Sequence, residues 1–203
     1  CYPHPVARVT LLETHISWVI LTGSYAYKIK KPVNLGFLDF TMLAARRHYC
    51  DEELRLNRRL APDIYLETVA ITGSPQYPVI GGSGPGIEYA VKMREFPQSA
   101  LFDSALARGE VSVAAIQALA HKIAAFHAAL TPATLTTGAA AAAALAPALD
   151  NFRRMLPLLD APADIAALNA VRDWTQREHQ ARGLQFAQRG PAGRVRECHG
   201  ALH

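Results

Sequence analysis

Lys28 is the first residue whose type and setting suggest chemistry. It stands in Ala-Tyr-Lys-Ile-Lys-Lys-Pro, within a segment, 25–31, that alternates in character and is closed by Pro32. On a strand, Ala26, Lys28 and Lys30 fall on one face and Tyr25, Tyr27 and Ile29 on the other. A lysine there, beside a small residue, has the placing to hold the α- and β-phosphates of a nucleotide whose base lies against Ala26. Ala-x-Lys is a short pattern, and a lysine on a solvated strand face produces it as well. The helical segment that follows sharpens the choice. Tyr49, Glu53, Leu56 and Leu60 keep the i, i+4, i+7 spacing of a buried stripe, so Glu53 interrupts an apolar face. A buried carboxylate without a partner is costly, which predicts a cation beside it. Lys28 on the preceding strand is the natural candidate, because a strand lysine paired with a glutamate on the next helix is an arrangement that phosphoryl transfer uses. Glu52 is the second choice for that carboxylate. The plainer alternative is a surface glutamate paired with Arg46 or Arg58.

Phosphate oxygens also need donors. The loop between the first two strands, Thr14-His15-Ile16-Ser17, offers the Thr14 and Ser17 hydroxyls together with backbone amides. It contains no glycine, and the chain has neither a Gly-x-Gly-x-x-Gly nor a Gly-x4-Gly-Lys-Ser/Thr loop, so a plain strand connection reads the same way. Met93-Arg94-Glu95-Phe96-Pro97 follows a strand and precedes helices. Glu95 and Phe96 are thereby placed to meet an adenine with backbone donors and acceptors, although any junction between two units can carry Phe-Pro.

The far end carries His199-Gly200-Ala201-Leu202-His203. This matches the phosphotransferase catalytic loop His-Gly-Asp-Leu-His except at its third residue. In that loop the aspartate accepts or orients the proton of the attacking hydroxyl, and an asparagine further on binds metal. Ala201 stands in the aspartate's place and has no group for the task, so the chain as given is not expected to be active. A rival reading makes Cys198, His199 and His203 a metal site. Gly200 argues against the helix that would bring both histidines to one face, and no complementary ligand pair is evident, so no metal ligand is assigned. His121 and His127 suit structural roles on a helix. A Cys–His nucleophile built on Cys50 or Cys198 lacks an activating environment and an oxyanion site.

The elements that must position these residues follow from the pattern. Segments 8–13 and 18–21 are rich in β-branched and apolar residues, and Thr22-Gly23-Ser24 is a turn before the strand of Lys28. Thr41 or Asp39 can cap a helix running to about Leu60, which Pro62 ends. Segments 64–72 and 87–95 read as strands joined by a Gly- and Pro-rich hairpin loop, 73–86. From 101 to 178 the character is helical, with Val113, Ile116, Leu119, Ile123 and Leu130 at helical spacing. The alanine-rich run 138–148 is a helix rather than a linker, alanine being the best helix former. The order predicts an α+β chain: a strand-rich unit over 1–96 with one helix, and a helical unit over 97–203.

Composition narrows the function classes. Half the residues are hydrophobic and 19% are charged, an ordinary globular balance. The net charge of +4 is mild and dispersed, which argues against nucleic acid as the partner and suits phosphate-bearing small molecules. Three cysteines form no disulfide framework and point to a reducing cytoplasm. No apolar run is long enough to span a bilayer, and no signal pattern opens the chain, so no membrane partner is expected. A start at Cys1 and a stop at His203 read as a fragment of a longer protein.

Several longer strings resemble one bacterial group. Glu-Thr-His-Ile-Ser-Trp-Val (13–19), Tyr-Ala-Tyr-Lys-Ile-Lys-Lys-Pro-Val (25–33), Gly-Phe-Leu-Asp-Phe (36–40) and Leu-Asn-Arg-Arg-Leu-Ala-Pro (56–62) are similar to segments of the aminoglycoside phosphotransferase-like kinases. That group includes bifunctional phosphotransferase/ATP-binding proteins. Ala-Val-Lys-Met-Arg-Glu-Phe-Pro (90–97) and the terminal His-Gly-x-Leu-His extend the likeness along nearly the whole chain. The resemblance implies a protein-kinase-like, two-lobed fold with a small antiparallel-sheet lobe and an incomplete helical lobe ending in the catalytic loop. It implies ATP with Mg2+ as donor, a hydroxyl-bearing small molecule as acceptor, and a P-loop ATPase domain further along the intact protein. By position, Lys28 would hold phosphates, Glu53 would pair with it, and Ala201 would occupy the catalytic base site beside His199. An attached P-loop domain regulated by a non-catalytic nucleotide-binding module is the alternative.

Overall fold

The computed structural model describes residues 2–134 and 138–199. Packing divides the chain into two units, residues 1–119 and 120–203, a division that falls inside a helix rather than at the connector near 96–97. The chain is α+β.

The first unit is built on a six-stranded sheet: β1 (Thr10–Glu13), β2 (Ser17–Leu21), β3 (Tyr25–Lys30), β4 (Tyr65–Gly73), β5 (Pro78–Ile80) and β6 (Glu88–Arg94). The strand order is β1-β2-β3-β6-β4-β5 and every neighbouring pair is antiparallel. The last strand therefore inserts between β3 and β4, and the helix α1 (Leu43–Arg58) connects those two. One face of the sheet buries Tyr27, Ile71, Ile80 and Ala90, with Tyr2, Ile20, Ile29 and Val69 packed against them. Tyr27 is wholly buried and its phenol lies 3.0 Å from Nε2 of His4, so residues near the start of the chain cover this face. Burial pushes the Tyr27 phenol above its ordinary pKa. The other face carries Lys28 and receives α1, which packs on β4 and β6.

Three details depart from the sequence expectations. The loop 73–86 is not structureless: β5 folds out of it and pairs with the free side of β4. Pro78 opens this short edge strand, where the sheet asks it for no ladder donor. Gly73 makes the return possible, because its φ is +85° and a Cβ there would stand 2.4 Å from the Tyr77 carbonyl oxygen. Neither Thr41 nor Asp39 caps α1. Met42 occupies the cap position without a side-chain bond, and the Asp39 carboxylate accepts instead from the Thr41 amide and hydroxyl. Finally, the inward stripe of α1 is set by Arg46 and Cys50, both buried, with Glu53 and Asn57 continuing it, while Tyr49 lies at the surface. The apolar spacing misplaced the stripe because its buried members are mostly polar and paired: Arg46 binds Glu88 and the carbonyls of Phe40 and Thr41.

Beyond β6 a short helix, α2 (Phe102–Ala107), precedes α3 (Val113–Ala129), which crosses the division. The second unit continues with α4 (Ala139–Met155), α5 (Pro162–Ala181) and α6 (Gly183–Arg189). Helical structure thus extends past the expected end near 178, and the alanine run does open a helix. Among the described residues of this unit, Ala140 is the buried apolar side chain.

Candidate functional site

β3 is central in the sheet, hydrogen-bonded to β2 and β6, so the Lys28 backbone is fixed from both sides. Alternation sends Lys28 and Lys30 to the face on which α1 lies, and Glu53 comes down from α1 between them. Its Oε1 is 2.7 Å from Nζ of Lys28 and its Oε2 is 2.7 Å from Nζ of Lys30. The Lys28 side chain keeps 29% exposure, whereas those of Lys30 and Glu53 keep 6% and 13%. Burial by itself pushes the Glu53 carboxyl up, but the charges and hydrogen bonds of Lys28 and Lys30 outweigh it and hold the carboxyl below its ordinary value. Glu52 is engaged on the helix surface by Arg55, at 2.8 Å, and Arg46 takes Glu88, so the surface alternative for Glu53 is not what the geometry shows.

Lys28 lines a cavity of about 380 Å³ in the first unit. Ala26, Val19, Leu21 and Met93 give it apolar walls, and Thr14, Glu95 and Phe96 also line it. An apolar slot with cations on its wall, here Lys28 and Arg94, is the form of a site that takes a flat heteroaromatic base joined to an anion. The sequence-derived residues divide as follows. Lys28, Thr14, Glu95 and Phe96 come together here, and Glu53 stands behind Lys28. Thr14 also closes its own turn: its Oγ1 accepts from the Ser17 amide at 3.0 Å and donates to the Ser17 carbonyl at 3.1 Å. Ser17 is fully buried across the strand pair from Lys30 and is not among the cavity's lining residues. His199 is half-buried in the second unit, and Ala201 lies outside the described residues.

The carboxylate of Glu95 does structural work. Its Oε2 accepts from the amides of Thr22, at 2.8 Å, and Gly23, at 2.7 Å, while its own amide donates to the Ser24 carbonyl. Gly23, at φ +92°, supplies the left-handed residue this turn needs. The connector is thereby fastened to the β2–β3 turn, and both the carboxylate and the amide of Glu95 are taken up in doing so. Three participants went unnoticed in the sequence: Lys30 as a second partner of Glu53, the Thr22-Gly23 amides as the seat of Glu95, and Tyr65 on the cavity wall. Only Lys30 had a signal, its place on the Lys28 face.

A larger cavity, about 730 Å³, lies between α4 and α5 in the second unit. Its walls include Leu149, Phe152, Leu156 and Leu168, and none of the residues singled out above touches it. Among the described residues, no group of three or more His, Cys, Asp or Glu side chains is placed to hold a metal ion. No helix among them is long and apolar enough to cross a membrane.

The chain is similar to uncharacterized proteins of Mycobacterium tuberculosis, strains H37Rv and CDC 1551, and of Mycobacterium bovis. Each is 35% identical over 130 residues, which cover 63% of this chain and 24% of the relative. The chain thus matches about a quarter of the length of these relatives. No family model matches it. No solved structure matches it either.

Proposed function

We propose that this chain is the nucleotide-binding front part of an ATP-dependent phosphotransferase of two-lobed, protein-kinase-like fold, whose intact form phosphorylates a hydroxyl of a small molecule. The observation that carries the reading is Lys28, on the wall of an apolar cavity and held from behind by a glutamate of the adjoining helix. In this reading the adenine lies between Ala26, Val19 and Met93, its polar edge against the backbone at Glu95 and Phe96. The phosphates reach Lys28, whose ammonium is already oriented by Glu53, so little rotamer freedom is lost on binding. ATP brings the group to be transferred. Mg2+ would come bound to the nucleotide's phosphates, as is usual for this ion. Ala201, at the place of the catalytic aspartate in the sequence, offers no proton acceptor for the hydroxyl.

The reading is tested by calorimetric titration with Mg-ATP and with adenosine. ATP should bind, adenosine more weakly, and Lys28→Met should lower ATP affinity to that of adenosine. Equal ATP affinity in parent and variant would sink the assignment. Ala201 favours a second reading, a non-catalytic nucleotide-binding module that regulates an attached P-loop domain. The two separate on Ala201→Asp in the longer protein: turnover that requires Lys28 supports the enzyme, and binding without turnover supports the module.

A further inference from the structure

Lys30 is the unexplained member of the cluster. A single lysine–glutamate pair is electrically neutral, yet here two ammonium groups share one carboxylate, each at 2.7 Å on its own oxygen. The two lysines are not equivalent. Lys30 is nearly closed off from water, its ammonium stands 5.1 Å from the centre of the buried Phe40 ring, and it is not among the residues lining the cavity. Lys28 is the more exposed and does line the cavity. One lysine is therefore a fixed partner of Glu53 and the other is the one able to turn towards a ligand.

We infer that Lys30 is a positioning residue that makes this cluster an anion site: by neutralising Glu53 permanently, it leaves the charge of Lys28 uncompensated and available to a polyphosphate. Two cations against one anion leave one net positive charge in the Lys28–Glu53–Lys30 cluster. Without Lys30, an ammonium drawn towards phosphates would have to share itself with a buried carboxylate, a group whose desolvation is not repaid by water. The ligand class is a di- or triphosphate, and the inference deepens the nucleotide reading on which it rests.

The test titrates the 203-residue chain with Mg-ATP and, separately, with inorganic tripolyphosphate, alongside thermal melts of each variant. Lys30→Met should weaken both ligands by about tenfold, as expected for a screened, partly buried charge. Lys30→Arg, which keeps the charge, should stay near the parent. The double variant Lys30→Met with Glu53→Gln removes one charge of each sign and restores the net positive charge on Lys28, so its affinity should recover most of the loss. A residue that merely filled space would give no such recovery. Unchanged affinity in Lys30→Met, or a double variant no better than the single one, overturns the inference. If Lys30→Met does not fold, the double variant decides alone: near-parent affinity supports the inference and a tenfold loss overturns it. A parent that binds tripolyphosphate but not ATP sinks the nucleotide reading and leaves the Lys30 series decisive on tripolyphosphate. A parent that binds neither overturns both.

Discussion

Glu53 sits at the centre of the site, and its protonation links the site to stability. Its carboxyl is held below its ordinary 4.5 because Lys28 and Lys30 more than offset the upward push of burial. A carboxyl depressed by folding contributes stability that is fully present above its unfolded value and is lost as pH falls through its folded one. The parent should therefore lose more stability than Glu53→Gln on acidification below 4.5, in urea melts followed by Trp18 fluorescence in a Trp174→Phe background. At neutral pH, Glu53→Gln should itself destabilise by roughly 3 kcal/mol, the low end for a broken buried pair, since Lys28 still reaches water. Parallel pH profiles for parent and variant would contradict the account. Cys50 makes a second residue-scale test. Burial pushes its thiol up to about 11, and the residue has no exposed surface. A thiol reagent mapped by mass spectrometry should leave Cys50 unmodified until the chain is denatured, because the thiolate is the reactive form. Rapid native modification would show that α1 does not seal against β6.

At the scale of elements, the site depends on the connector after β6 being fastened to the β2–β3 turn. Glu95→Ala removes a charged acceptor from two amides and should cost about 2 kcal/mol in a thermal or urea melt, with Glu95→Gln costing less because it keeps a carbonyl oxygen. Amide exchange at Thr22 and Gly23 should accelerate in the alanine variant; unchanged exchange would mean the turn holds by itself. How far such elements could be read beforehand depended on the kind of signal. The strand of Lys28 was legible because alternation and Pro32 bound it, and the pairing with Glu53 because a carboxylate in a helix stripe demands a cation. The inward face of α1 was misplaced because Arg46 is buried there through its ion pair with Glu88, 42 positions away, and through hydrogen bonds to the Phe40 and Thr41 carbonyls just ahead of the helix. Apolar spacing carries no trace of such bonds. Short β5 and the tie from Glu95 to Thr22 and Gly23 are likewise tertiary facts, the latter linking positions 73 and 72 residues apart.

For the molecule as a whole, the two units differ in how much they bury. The sheet unit encloses wholly buried side chains such as Tyr27, Val91 and Cys50. The helical unit exposes Leu158, Trp174 and Leu184 and, among its described residues, buries Ala140 as its one apolar side chain. Local stability follows buried apolar contact, so amides of α4 to α6 should exchange faster than those of β3 and β6, and limited proteolysis should cut within 120–199 while sparing the sheet. Slower exchange in the helices than in the sheet would contradict this. The nucleotide reading needs only the sheet unit, so it can be tested most directly at Lys28 itself. A nucleotide acyl-phosphate, which transfers its acyl group to a lysine near bound phosphates, would be added to the chain and the labelled lysines mapped by mass spectrometry. Lys28 should be labelled in preference to Lys31, Lys92 and Lys122, and excess ATP should abolish that labelling. Labelling spread evenly over the lysines, or at Lys28 but indifferent to ATP, would contradict the nucleotide reading.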